Sequence, residues 1–258
     1  MASAFFVSVV CISALMGLVS GRQALAAECP RLPGGFQARV EQVYDGDTLR
    51  LSDGRKVRLV DINTPELGRD GRADEPHAEA ARQWLRRAVQ GRRVYLLPGA
   101  ERADRYGRRL AHLYLPDGTL AAELLVARGL GYVLARSARP ELTACLFAAE
   151  TSARRAGLGV WQSAPLAAER VRRSGFAVLQ GRISRITPTR RGTYIDLDDH
   201  LAVFVSTSVM AGSPRWQIGR RLQVRGWVVD RLQRHKSLRP GQQRWRLDLT
   251  HSLHLRGD

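Results

Sequence analysis

The stretch VYDGDTLRLSDGRKVRLVDINTPE, Val43 to Glu66, interleaves carboxylates with arginines in a chain of net charge +17. Such a mixture suits hydrolysis of a phosphodiester. The attacked phosphorus gathers negative charge on its equatorial oxygens, which a metal ion and arginine donors stabilise. A carboxylate must deprotonate or orient the attacking water. A hard cation such as Ca2+ takes carboxylate, amide and carbonyl oxygens. Asp47, Asn63 and the Thr64 carbonyl are candidate ligands of one ion, Glu66 the candidate base, and Arg58 one phosphate donor. A second donor must come from elsewhere, and DRYGRRLAHLY offers Arg108. Plainer readings stand beside these. The stretch is also a polar β-hairpin, Glu66 could serve only to pair with Arg58 or Arg108, and Asp45 reads as a turn former. The six histidines form no HExxH arrangement and read as structural or surface residues.

The elements that must position these groups follow from pattern. FQARVEQV and DTLRLSDG alternate as strands, Ser52–Arg55 turns, and KVRLVDI is a third strand ended by Pro65. Residues 67–75 are Gly- and charge-rich and read as a loop. PHAEAARQWLRRAVQG is a helix started by Pro76 and closed by Gly91, with Ala80, Trp84, Leu85 and Ala88 on one face. RRVYLLPG and RLAHLYLPDG are two more strands. Two helices follow, one capped by Thr119 and stopped by Gly129, the other running from Pro140 to near Gly157. This order predicts an α+β unit, a small antiparallel barrel with helices packed on it, over residues 30–162. Residues 163–175 read as a linker or exposed helix. From 176 to 256 the pattern resets to five β-like runs, with a short helical element between the third and fourth. That suggests a second, all-β, OB-like barrel.

Forty-one Lys and Arg face twenty-four Asp and Glu, a balance that attracts polyanions, although the near-exclusive use of Arg could equally reflect genome composition. The apolar run AFFVSVVCISALMGLVSG, followed by Ala24 and Ala26 as a small-x-small pattern, predicts an export signal over 1–26 cut after Ala26. No Lys or Arg precedes the run, and an uncleaved membrane anchor is the alternative. Export implies a periplasmic or secreted protein. Cys29 and Cys145 then remain as a candidate disulfide, against two unrelated thiols.

DGDT at 45–48, RLVDINTPE at 58–66, DRYGRRLAHLY at 104–114 and LGVW at 158–161 occur in an order and spacing that resemble the staphylococcal nuclease (thermonuclease) family across roughly 36–161. The resemblance implies an OB-type five-stranded barrel with three helices. It also implies a Ca2+-dependent nuclease of DNA and RNA that leaves 3′-phosphate ends, with no protein partner and a monomeric state expected. Asp47 matches the metal-ligating aspartate, Thr64 the residue offering a backbone carbonyl, Glu66 the general base, and Arg58 and Arg108 the phosphate-binding arginines. Tyr106 matches a tyrosine near the phosphate, and Arg105 stands where a lysine is common. Two departures matter. Asn63 replaces a second metal-ligating aspartate, which removes a charge and weakens the metal site. Asp61 could compensate only if turned inward, and reads rather as an edge-strand charge facing water. Ala135 replaces an aromatic that flanks the nucleotide base. The alternative function is a nucleic-acid-binding protein on the same fold with little or no turnover.

Overall fold

In the computed structural model, which describes residues 29–257 apart from 69, 137, 211–214 and 234–235, two barrels are built one after the other. The expected export signal, its cleavage after Ala26 and the anchor alternative lie outside the described residues. Among the described residues no helix is long and apolar enough to cross a membrane.

The first barrel closes in the order β1 (Phe36–Val43), β2 (Thr48–Leu51), β3 (Lys56–Leu59), β6 (Arg109–Tyr114), β5 (Arg93–Ala103). All pairs are antiparallel except β3 with β6. Leu49, Leu51, Leu96 and Leu113 point inward and are fully buried, each contributing roughly 1.5–3 kcal/mol. Three helices pack on the barrel: α1 (Ala78–Val89), α2 (Ala121–Ala127) and α3 (Pro140–Arg155). The buried face of α1 is Ala78, Ala81, Leu85 and Val89, with Trp84 and Ala88 flanking it; Ala80, expected inside, is exposed. Thr119 does not cap α2. Its N–H bonds the Asp117 carboxylate in the preceding turn, and Leu120 stands at the cap position.

The third strand does not run to Pro65. It stops at Leu59, and Ile62–Asn63 form a separate strand, β4, paired with β7 (Tyr132–Val133). Asp61 causes the break, because its φ of 59° lies in the left-handed region. Its side chain then points inward and is 1% exposed, which corrects the expectation of a charge facing water. It accepts the Arg136 N–H at 3.0 Å, while its carbonyl accepts the Leu134 N–H. Asp61 thereby ties down residues 134–136.

Residues 163–175, expected as a linker or exposed helix, contribute β8 (Leu166–Ala167) to the second sheet, and Ala168 and Val171 are buried in its core. The second barrel is β9 (Gly175–Thr189), β10 (Gly192–Leu197), β11 (Leu201–Ser206), β13 (Trp245–Leu249) and β12 (Arg221–Asp230), closed by β12 against β9. A one-turn helix, α4 (Thr207–Met210), follows β11, and β14 (Leu255–Gly257) pairs with β12. Cys29 and Cys145 are joined by a disulfide that ties the segment before β1 to α3.

The two barrels share buried polar bonds. Arg225 of β12, 2% exposed, makes a two-pronged pair with Glu150 of α3 at 2.7 and 2.8 Å and donates to the Val133 carbonyl. Glu150 accepts the Val133 N–H in turn. His254 accepts the Ala135 N–H through Nε2 at 2.8 Å. Burial, with the Arg225, His251 and Arg136 charges nearby, pushes the His254 pKa down to about 3. Folded His254 therefore stays neutral where the unfolded residue takes a proton. Its contribution is complete above about pH 6.5 and is lost as pH falls below that value. Unfolding in urea is expected to show about 2–3 kcal/mol of this loss between pH 7 and pH 4.5. In His254→Gln that part of the slope should disappear.

Candidate active site

The turn before β2 brings the first carboxylates together. Tyr44 N–H bonds the Thr48 carbonyl, and Asp45 accepts the Asp47 N–H. Gly46 sits between them under α1. A Cβ there would lie 2.6 Å from Ala81 Cβ and 2.7 Å from Thr64 Oγ1, so only glycine lets the turn, the helix and residue 64 meet.

Asp47 is the hub, buried to 2% exposure. Its Oδ2 accepts from the Thr64 N–H at 2.9 Å and the Thr64 hydroxyl at 3.0 Å, and pairs with Arg58 at 2.9 Å. Its Oδ1 accepts from Thr48 Oγ1. Arg58 also donates to the Leu59 and Ile62 carbonyls and to Asn63 Oδ1. Asn63 donates from Nδ2 to the Thr64 carbonyl at 3.4 Å. Beyond the break at Asp61 the chain presents Asn63 to Arg58 and Thr64 to Asp47.

Arg108 reaches the same place from the turn before β6. Its Nη1 meets Thr48 Oγ1 at 3.5 Å, the hydroxyl that also bonds Asp47. Asp104 holds its Nε at 2.7 Å. Burial pushes the Asp104 carboxyl up, but the bonds from Arg108 and Tyr106 outweigh it and hold it below the usual range. Arg105 and Tyr106 are exposed on the same turn. Arg105 donates to the Tyr106 hydroxyl, and both Arg105 and Arg108 lie within 5.5 Å of the Tyr106 ring centre.

Glu66 stands exposed just beyond Thr64 and Pro65. Its main chain exchanges hydrogen bonds with Glu75, which holds the strand end in place. Its charge reaches Asp45. Burial first, then the Asp47 and Glu66 carboxylates, push the Asp45 pKa up to about 7 against the opposing bond from the Asp47 N–H. Asp45 thus belongs to the acidic cluster, beyond its part in the turn. Position alone, two residues before Asp47, could have flagged it. Asp104 likewise precedes Arg108 by four residues and holds its guanidinium.

The donor set fits a hard cation. It is all oxygen: the Asp47 carboxylate, the Asn63 amide oxygen and the Thr64 carbonyl, with Asp45 and Glu66 adding negative charge. Arg58 and Arg108 line one cavity of about 130 Å³ together with Ile62, Leu134, Arg136 and, from the second barrel, Trp227.

Residues 56–163 match the family model described as staphylococcal nuclease homologue. An uncharacterized endonuclease of Escherichia coli is 30% identical over 138 residues, 52% of this chain and 83% of that protein. A thermonuclease of Staphylococcus intermedius is 36% identical over 81 residues, 30% of this chain and 48% of its own length. Endonuclease YncB of Bacillus subtilis is 32% identical over 98 residues, 36% of this chain and 46% of its own length.

Proposed function

Because the chain belongs to the staphylococcal nuclease homologue family, we propose that it is a Ca2+-dependent nuclease that hydrolyses DNA, RNA or both and leaves 3′-phosphate ends. The observation that carries this reading is the link Arg58–Asp47–Thr48–Arg108, which puts two guanidiniums on one cavity beside an oxygen-rich cluster. Asp47, the Thr64 carbonyl and Asn63 Oδ1 would hold Ca2+, which supplies positive charge to the phosphate oxygens. Glu66 takes a proton from the attacking water. The water oxygen bonds to phosphorus, the bond to the 5′-oxygen breaks with the electron pair going to that oxygen, which takes a proton from solvent to become the 5′-hydroxyl, and the phosphate stays on the 3′ side. Phosphate oxygens compete with Asn63 Oδ1 and Asp47 for the Nη2 hydrogens of Arg58, and Arg108 offers a second planar fork. Arg105 and Tyr106 flank the phosphate. The protein is exported, and the Cys29–Cys145 disulfide supports an oxidising compartment.

One observation favours the second reading, a nucleic-acid binder with little turnover. Asn63 is neutral, and its Nδ2 spends a hydrogen bond on the Thr64 carbonyl that a metal needs. Aspartate at position 63 would add a charge and release that carbonyl. A Ca2+ titration of single-stranded DNA cleavage separates the two. Cutting with Ca2+, and none with chelator, is the result expected of the nuclease. Binding with no cutting under any divalent metal supports the binder instead. In the same titration Asn63→Asp is expected to lower the half-maximal Ca2+ concentration on the order of tenfold. An unmoved midpoint would refute this account of position 63.

A further inference from the structure

The cavity beside Arg58 and Arg108 has an aromatic wall that the first barrel does not supply. Ala135, at the position where the family's aromatic is expected, is 3% exposed, and its N–H is committed to His254. It can present no ring. Trp227 lines the same cavity as Arg58 and Arg108, comes from β12 of the second barrel, and is 41% exposed.

Strand geometry explains why it arrives there. Along β12, Leu222, Val224, Gly226 and Val228 are buried on the inner face, so Arg225 and Trp227 share the outer face. Arg225 is buried all the same, because it plugs into the first barrel against Glu150 and the Val133 carbonyl. The next outward residue lies two positions on, about 7 Å along the strand. Val133 and Ala135 are likewise two positions apart. Beyond the Arg225 anchor, Trp227 lines the same cavity as Leu134 and Arg136, the residues on either side of Ala135.

The ring is also held. Trp227 stands opposite Phe176 in the β9–β12 register, with ring centres 5.2 Å apart and edge to face. Phe176 packs on Tyr132 at 5.5 Å, and Tyr132 on Trp161 at 5.3 Å. This aromatic row runs from the first barrel to the cavity and fixes one side of the indole while leaving part of it open.

We propose that Trp227 is the nucleobase platform of this protein: the base of the nucleotide whose phosphate sits on Arg58 and Arg108 stacks on the indole supplied by the second barrel. The inference rests on the nuclease reading of the site. It makes the second barrel part of the substrate site rather than an appendage. Stacking on a π-face tolerates any base, so the subsite grips single-stranded polynucleotide without reading sequence.

The test uses the full chain carrying Glu66→Gln, so that substrate is bound but not cut, with Ca2+ present. Affinity is measured for a single-stranded oligodeoxynucleotide and for an abasic deoxyribose-phosphate polymer of equal length. Adding Trp227→Ala is expected to weaken the oligonucleotide roughly ten- to a hundredfold, the worth of one stacked base, and to leave the abasic polymer unchanged. Trp227→Phe should keep most of the affinity, and the oligonucleotide alone should quench the Trp227-dependent fluorescence. Equal affinities with and without the indole, or equal losses on both polymers, would overturn the subsite while leaving the nuclease reading intact. Failure of the protein with Trp227 intact to bind either polymer would remove both.

Discussion

Glu66→Gln lowers the rate of single-stranded DNA cleavage by an expected 10²- to 10⁴-fold, the usual worth of a positioned general base. Glutamine keeps the shape and loses the proton acceptor. The main-chain bonds between residue 66 and Glu75 do not use the side chain of residue 66, so the strand end stays in place. In the proposed site the loss should fall on kcat, with KM little changed, because Arg58 and Arg108 would still hold the phosphate. Steady-state kinetics read this split directly. A Glu66→Gln protein that cuts at the original rate would show that the base lies elsewhere. It would also return Glu66 to the plainer role of a partner for nearby arginines.

The second large effect concerns stability. In Arg225→Met the Glu150 carboxylate stays buried at 1% exposure without its cation. Breaking a buried pair from one side costs about 3–5 kcal/mol, which for a chain of this size lowers Tm on the order of 10 °C. The double variant Arg225→Met with Glu150→Gln should recover part of the loss. Glutamine is neutral and still accepts the Val133 N–H that Glu150 now holds. Activity should fall with the single variant too. Val133 pairs with Ile62, and the next pair along is Asn63 with Tyr132. The anchor of the second barrel is thus one strand away from the candidate ligands. A single variant as stable as the original protein would mean that the barrels are not locked by this pair.

The limits of the sequence show at Asp61. Alternation through KVRLVDI reads as one strand with Asp61 on its edge. In the fold, Asp61 adopts a left-handed backbone, ends the strand and turns inward to hold residues 134–136. Nothing local demanded that. The stabilising partner is seventy-five residues away. Asp45 is similar. As one member of a turn it needs only a short polar side chain, and its burial beside Asp47 and within reach of the Glu66 charge appears only in the folded chain, where Ala81 and Thr64 pack against the neighbouring Gly46.

What the sequence determined by itself is whatever lies within a few positions along one element. The DGDT turn, the Asp104-to-Arg108 turn, the strand alternation outside residues 60–65 and the reset to a second β pattern after residue 175 are of this kind. Backbone geometry there fixes which side chains are neighbours. Tertiary structure decided the rest: that Thr48 joins Arg108 to Asp47, that residues 166–171 belong to the second barrel, that Arg225 finds Glu150, and that Trp227 opens onto the Arg58 cavity. These meetings span tens to more than a hundred residues. They depend on how buried faces dock, where packing and charge pairing choose among many sterically allowed arrangements that local spacing leaves equally open.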